Sequence, residues 1–146
     1  MKKGELLFVY GTLLRGERAD ITKNILIHST SLVRADEING KLYHLGGFPG
    51  VKLVSAPESD FNANLPIVKG EVYYIGDQSM VSILDHYEGY SENHDGLYDR
   101  CQVLTKGGKL VWVYTYNGPV IDDQLIETGS WKQPRLKSTH RIPRLI

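Results

Sequence analysis

Residues 5–10 form an apolar, aromatic-containing run that stops abruptly at Gly11. A run of this kind without polar alternation is a strand covered on both faces and ended by a turn, so it belongs at the centre of a sheet. The rest of the chain supplies the neighbours. Residues 32–35, 38–45 and 51–54 read as extended, with Gly46, Gly47, Pro49 and Gly50 forcing a sharp bend around Phe48. Residues 67–75 are rich in β-branched and aromatic side chains and predict a further strand, with Gly70 marking a bulge or a close backbone approach. Residues 98–105 and 110–116 flank Lys106-Gly107-Gly108-Lys109, a hairpin signal with both glycines at positions expected to need positive φ.

Helical signals are fewer. Asp20 can cap a short helix carrying Ile21, Ile25 and Leu26, broken at 29–31. Asp77 is placed to cap a second, running toward Tyr87, with Met80, Val81, Leu84 and Tyr87 on one face and Gly89 as its stop. Residues 55–66 mix Pro57, Ser59, Asp60, Asn62 and Asn64 and predict an exposed loop. Six or seven strands against two or three short helices, with no βαβ rhythm and no repeat, predict an α+β fold. The expected architecture is a largely antiparallel, barrel-like sheet with a few short helices. At 146 residues, 41% of them hydrophobic, the chain suits one domain over 1–146, with a basic C-terminal tail from about 131.

Composition removes several function classes. The single cysteine, Cys101, excludes an intrachain disulfide framework and any cysteine-built zinc or iron–sulfur site, and points to a reducing, cytoplasmic setting. Seventeen bases balance seventeen acids, which argues against a nucleic-acid partner. From Trp131 onward Lys132, Arg135, Lys137, Arg141 and Arg144 occur with no acid, the pattern of a solvated segment or one docked on its own domain. No apolar stretch approaches the roughly 18–20 residues that span a bilayer, and the N-terminal residues do not form a signal peptide, so no membrane partner and no export are expected.

Chemical motifs narrow the choice further. Gly11 and Gly16 have phosphate-loop spacing, but Glu17 and Arg18 stand where Lys and Ser or Thr would be needed. Dinucleotide and hydrolase glycine motifs are absent. The His86/Glu88 pair lacks the downstream cysteines of a zinc deaminase. Between residues 85 and 95 lie Asp85, His86, Glu88, Glu92, His94 and Asp95, without a recognised ligand spacing, and an acidic solvated loop explains them. No metal and no cofactor are therefore expected.

Two features remain. Tyr10-Gly11-Thr12-Leu13 sits where the central strand turns, and such a turn can present consecutive N–H groups as an anion cradle; the same pattern also serves as a plain tight connection. Glu88 falls at the end of the second helix, where the negative end of the dipole and burial among Tyr87, Tyr90 and Tyr98 would raise its pKa toward that of a general acid/base; an exposed terminal glutamate is the commoner arrangement for this pattern. Tyr98 and Arg100, two apart on a strand, share a face on which Arg100 can pair with a carboxylate of the protein or of a ligand.

Taken in order, Val9-Tyr10-Gly11-Thr12-Leu13 with Gly16, Gly47-Phe48-Pro49-Gly50, Val68-Lys69-Gly70-Glu71-Val72-Tyr73, Leu84-Asp85-His86-Tyr87-Glu88-Gly89, Tyr98-Asp99-Arg100, Val111-Trp112-Val113-Tyr114 and Gly129-Ser130-Trp131 resemble the γ-glutamylcyclotransferase-like family, in its small γ-glutamylamine cyclotransferase and AIG2-like branch. The resemblance implies a small mixed β-barrel and cofactor-free cyclisation of a γ-glutamyl group to 5-oxoproline, with release of an amine or amino acid. It implies Glu88 as the acid/base and Tyr10, Gly11, Thr12 and Leu13 as the substrate loop. Tyr116 is expected to add a hydroxyl to the site, with Tyr98 and Arg100 supporting it. The loop at 55–66, the His94-containing loop and the basic tail depart from the family pattern and leave the substrate's identity open. A non-catalytic small-molecule binder on the same fold is the competing expectation, since a fold and a pocket do not prove turnover.

Overall fold

The computed structural model describes residues 1–11, 30–57, 59–88 and 96–131, with the backbone alone for 30–32, 80, 87 and 88. Among them are seven strands and one α-helix: β1 (Leu6–Val9), β2 (Thr30–Asn39), β3 (Lys41–His44), β4 (Pro49–Lys52), β5 (Ile67–Ile75), α1 (Ser79–Glu88), β6 (Tyr98–Leu104) and β7 (Leu110–Tyr116). A short 3-10 helix, Asp122–Gln124, follows. The helix expected from Asp20 lies outside the described residues.

Five strands form one sheet in the order β2-β5-β1-β7-β6, and β3 and β4 form a separate two-stranded sheet. The apolar run is the middle strand, as its lack of alternation requires: Leu7, Phe8 and Val9 are all buried, flanked by β5 antiparallel and β7 parallel. Every other pairing among these strands is antiparallel. The mixed, largely antiparallel α+β class is thus as expected, but the sheet is not a closed barrel. Among the described residues its two edges meet at one corner, where Lys106 N, in the β6–β7 turn, donates to Glu37 O of β2 at 2.9 Å.

Two local expectations change and a third, left between two alternatives, is decided. Residues 32–35 and 38–45 are not two strands broken at 36–37, because β2 runs through to Asn39 and the break falls at Gly40. Asp36 and Glu37 look like turn residues, but here their polar groups bind the β6–β7 turn while the backbone stays extended. In that turn Gly108 alone has positive φ, +78°; Gly107 is small for another reason, since a Cβ on it would lie 2.8 Å from both Arg34 and Asp36 side-chain atoms. Gly70 is a close approach rather than a bulge, because a Cβ there would run into the Val9 carbonyl and the Phe8 ring. The irregularity in the sheet lies instead in β2, between Leu32 and Arg34.

Helix α1 starts where Asp77 Oδ1 accepts the Ser79 N–H at 3.0 Å, the expected N-cap. Ten residues give a helix about 15 Å long, too short to persist alone in water, so packing must hold it. Among its described side chains, Val81 and Leu84 are buried. Each such side chain stabilises by about 1.5–3 kcal/mol when removed from water, enough to dock the helix but without direction.

Candidate active site

Because β1 and β7 run parallel with Leu7 opposite Trp112, their C-terminal ends lie at the same end of the sheet. Tyr10 and Gly11 are there, both buried. The Tyr10 hydroxyl donates to the Tyr114 carbonyl at 2.6 Å, tying the start of the turn after β1 to β7. Thr12 and Leu13 lie outside the described residues.

Tyr116 ends β7 and pairs across the ladder with Tyr98, the first residue of β6; their rings meet edge to face with centroids 5.6 Å apart. The buried Tyr98 hydroxyl donates to the Pro49 carbonyl at 2.6 Å. That bond brings the Gly47-Phe48-Pro49-Gly50 bend to the same end of the sheet. Gly50 fits only without a side chain, since a Cβ would stand 2.6 Å from Leu45 Cδ1 and 2.8 Å from Tyr116 Cβ. Lys52, farther along β4, holds its ammonium 5.4 Å from the Tyr116 ring centre, the geometry of a cation–π contact.

Helix α1 reaches this end with its last turn. Asp85 Oδ1 accepts the Tyr114 hydroxyl at 2.7 Å, and Asp85 Oδ2 lies 3.5 Å from Arg100 Nη2. Arg100 and Tyr114 are themselves ladder partners on β6 and β7, so one carboxylate engages two adjacent strands. The Arg100 guanidinium also stands 5.6 Å from the Trp112 ring centre, and Trp112 Nε1 donates to Glu5 Oε1 at 3.2 Å. The amine of Met1 lies in the same field: burial, then the positive charge of Arg100, push its pKa down, while Glu5 and Asp85 oppose the shift.

Of the sequence-predicted residues, Tyr10, Gly11, Tyr98, Arg100 and Tyr116 are gathered here. Glu88 is the last residue of α1, three beyond Asp85 and four beyond the buried Leu84, and its side chain lies outside the described residues. Asp85 and Tyr114 were not singled out for this site from the sequence. The signal that points to them is register: Asp85 sits one helical turn before Glu88, and Tyr114 sits opposite Arg100.

A cleft of about 460 Å³ opens elsewhere, lined by Arg34, Asp36, Glu37, Lys69 and Lys106 among others. It collects none of the predicted residues, and the Asp36 carboxylate beside it is covered, its side chain 1% exposed. We therefore place no chemistry there. Among the described residues no group of three His, Cys, Asp or Glu side chains is arranged to hold a metal ion, and no helix is long and apolar enough to cross a membrane.

This arrangement of strands and helix recurs in solved structures. An AIG2-like protein of Mus musculus superposes with a TM-score of 0.60 at 19% identity, over 91% of this chain and 97% of the mouse chain. A uropathogenic E. coli-specific protein gives a TM-score of 0.62 at 20% identity, over 88% and 92% of the two chains. They define the fold class as the small α+β fold of AIG2-like proteins. In sequence, residues 7–133 match the family described as Gamma-glutamyl cyclotransferase, AIG2-like. The Gamma-glutamylcyclotransferase family protein ytfP of Citrobacter rodentium is 32% identical over 127 residues, 86% of this chain and 93% of its own. The chain belongs to the AIG2-like γ-glutamyl cyclotransferase family.

Proposed function

We propose that this chain cyclises a γ-glutamyl group to 5-oxoproline and releases an amine or amino acid, with Glu88 as the general acid/base. Family membership supports the substrate class. The observation that carries the proposal is the convergence at one end of the sheet of the Tyr10-Gly11 turn, Tyr116 and the last turn of α1, joined through the Tyr10–Tyr114 and Tyr114–Asp85 hydrogen bonds.

The reaction is intramolecular. The α-amine attacks its own side-chain carbonyl, a carbon–nitrogen bond closes the five-membered ring, and the original amide carbon–nitrogen bond breaks. Nucleophile and electrophile share one molecule, so the protein has to hold the folded conformer, move a proton and stabilise the oxyanion. Glu88 takes the proton from the ammonium and returns it to the departing nitrogen. Backbone N–H groups from Gly11 to Leu13 hold the substrate carboxylate or the developing oxyanion, and the Tyr116 hydroxyl adds a donor. Tyr98 and Arg100 support these groups: Tyr98 holds the Pro49 bend beside Tyr116, and Arg100 neutralises Asp85. The chemistry draws on no cofactor.

The test is release of 5-oxoproline from a panel of γ-glutamyl amines and γ-glutamyl amino acids. Glu88→Gln keeps the volume and removes proton transfer, so kcat should fall about 10²–10⁴-fold with the thermal midpoint unchanged. Wild-type turnover in that variant overturns the role of Glu88. Ligand-induced thermal shifts across the panel without any product would instead identify a binder.

A further inference from the structure

Resting on that role for Glu88, we infer that Asp85 is the positioning residue of the site, fixing the roll of α1 and with it the place of Glu88. Val81 and Leu84 attach the helix through apolar contact, which resists separation far more than rotation about the helix axis. Rotation matters because side-chain tips stand about 5–6 Å from that axis, so a roll of about 10° moves one by about 1 Å. A misplacement of about 1 Å costs on the order of 10²-fold in rate.

Directional bonds supply what apolar packing lacks. Asp85 accepts the Tyr114 hydroxyl at 2.7 Å with one oxygen and faces Arg100 at 3.5 Å with the other. Both charged side chains are largely covered, at 20% exposed for Asp85 and 14% for Arg100, so water competes weakly. The anchor points are ladder partners on neighbouring strands, which resists roll in both senses. Tyr114 is also where the Tyr10 hydroxyl bonds, through its carbonyl at 2.6 Å. A single residue of β7 thereby sets the distance between the turn after β1 and the last turn of α1, the two elements that must meet across a substrate.

Among the described residues, the charged and titratable groups around the carboxylate come from several elements. Arg100 is on β6, Tyr114 on β7, Glu5 beside Trp112, His86 next in the helix, and the Met1 amine lies in the same field. Removing the Tyr114 hydroxyl leaves these charges in place, whereas removing the Asp85 charge leaves Arg100 without this counter-ion. Tyr114→Phe is therefore the clean probe of position, and the Asp85 variants probe position and charge together.

The experiment compares wild type, Tyr114→Phe, Asp85→Ala and Asp85→Asn on a turned-over γ-glutamyl compound, with hydrogen exchange read at the amides of 86–88. Tyr114→Phe is expected to lower kcat about tenfold or more, with KM within about threefold and the pH–rate limb unmoved. Asp85→Ala should cost more. Asp85→Asn, which retains an oxygen for Tyr114, should recover part of the loss while its limb shifts to lower pH because the negative charge at 85 is gone. Exchange at 86–88 should quicken about tenfold or more in Tyr114→Phe and Asp85→Ala and stay as in wild type along β5. Unchanged kcat in Tyr114→Phe, or a rise in KM alone, overturns the inference. If wild type turns over no γ-glutamyl compound, the proposed reaction fails on its own, and the exchange data still decide the tether: quickened exchange at 86–88 supports it, and unchanged exchange overturns it.

Discussion

Asp36 and Asp85 are both carboxylates beneath an arginine, yet they hold opposite corners of the molecule together in different ways. Asp36 Oδ1 accepts two backbone N–H groups, from Glu37 at 2.8 Å and from Gly107 at 3.1 Å, while Arg34 lies 3.7 Å from Oδ2 and is half exposed. Asp85 engages side chains instead, a tyrosine hydroxyl and a largely covered guanidinium. A carboxylate bonded to backbone fastens main chain to main chain, and here it brings the β6–β7 turn against β2 where the sheet almost closes. One bonded to side chains fastens a helix to strands without constraining either backbone, which suits an element whose exact roll matters. A covered acid therefore has to be judged by what it holds. Asp36 serves the fold, and Asp85 serves the end of the sheet where the chemistry is proposed.

Exchanging the two losses tests that division. Asp36→Ala removes a charged acceptor from two amides and should lower stability by about 2 kcal/mol in chemical denaturation, with kcat per folded molecule within about twofold of wild type. Asp85→Ala should reverse the pattern, losing much activity and less stability. An Asp36→Ala protein that is as stable as wild type, or one that is folded but inactive, would break the comparison. Gly107→Ala sharpens it at lower amplitude. The added methyl meets Arg34 and Asp36 atoms at 2.8 Å; Arg34 can swing into solvent but Asp36 cannot, so a loss of about 1 kcal/mol is expected, again without effect on kcat.

How much of this was legible in the sequence follows the same physical divide. Local pattern marked β1, β5, the β6–β7 hairpin and the Asp77 cap, because burial on both faces, β-branching, paired glycines and a capping aspartate act within a few residues. Residues 36–37 read locally as a break, since the partner that makes their polar groups at home in a strand is the turn about seventy positions away. For the same reason Gly107 looked like a residue chosen for its φ, when the constraint is the Arg34–Asp36 pair across the gap. Around the candidate site, Tyr10, Tyr98, Arg100 and Tyr116 could be named one by one, and the shared face of Tyr98 and Arg100 followed from strand periodicity. What could not be named was the order of linkage, Tyr10 to Tyr114 to Asp85, because the register of β7 against both β1 and α1 is set by tertiary packing.

The two ends of α1 are also held by carboxylates of unlike kind. Asp77 caps the N-terminal end from full exposure, and its bonds to the Ser79 backbone and side chain hold its pKa below the ordinary aspartate value of 3.8. A carboxyl whose folded pKa is depressed stabilises the protein above its unfolded pKa, and that contribution disappears as pH falls through the folded value. Asp77→Ala should therefore lower Tm modestly at pH 7, by an amount that shrinks once the pH drops below about 4. Since the cap acts on the first turn and Asp85 on the last, kcat in Asp77→Ala should stay close to wild type while exchange quickens at residues 79–81 and not at 86–88. A Tm difference that persists undiminished at pH 3 would show that the cap works through shape rather than charge. A large loss of kcat would show that the first turn shares in holding the last, and the separation between the two ends of the helix would fail.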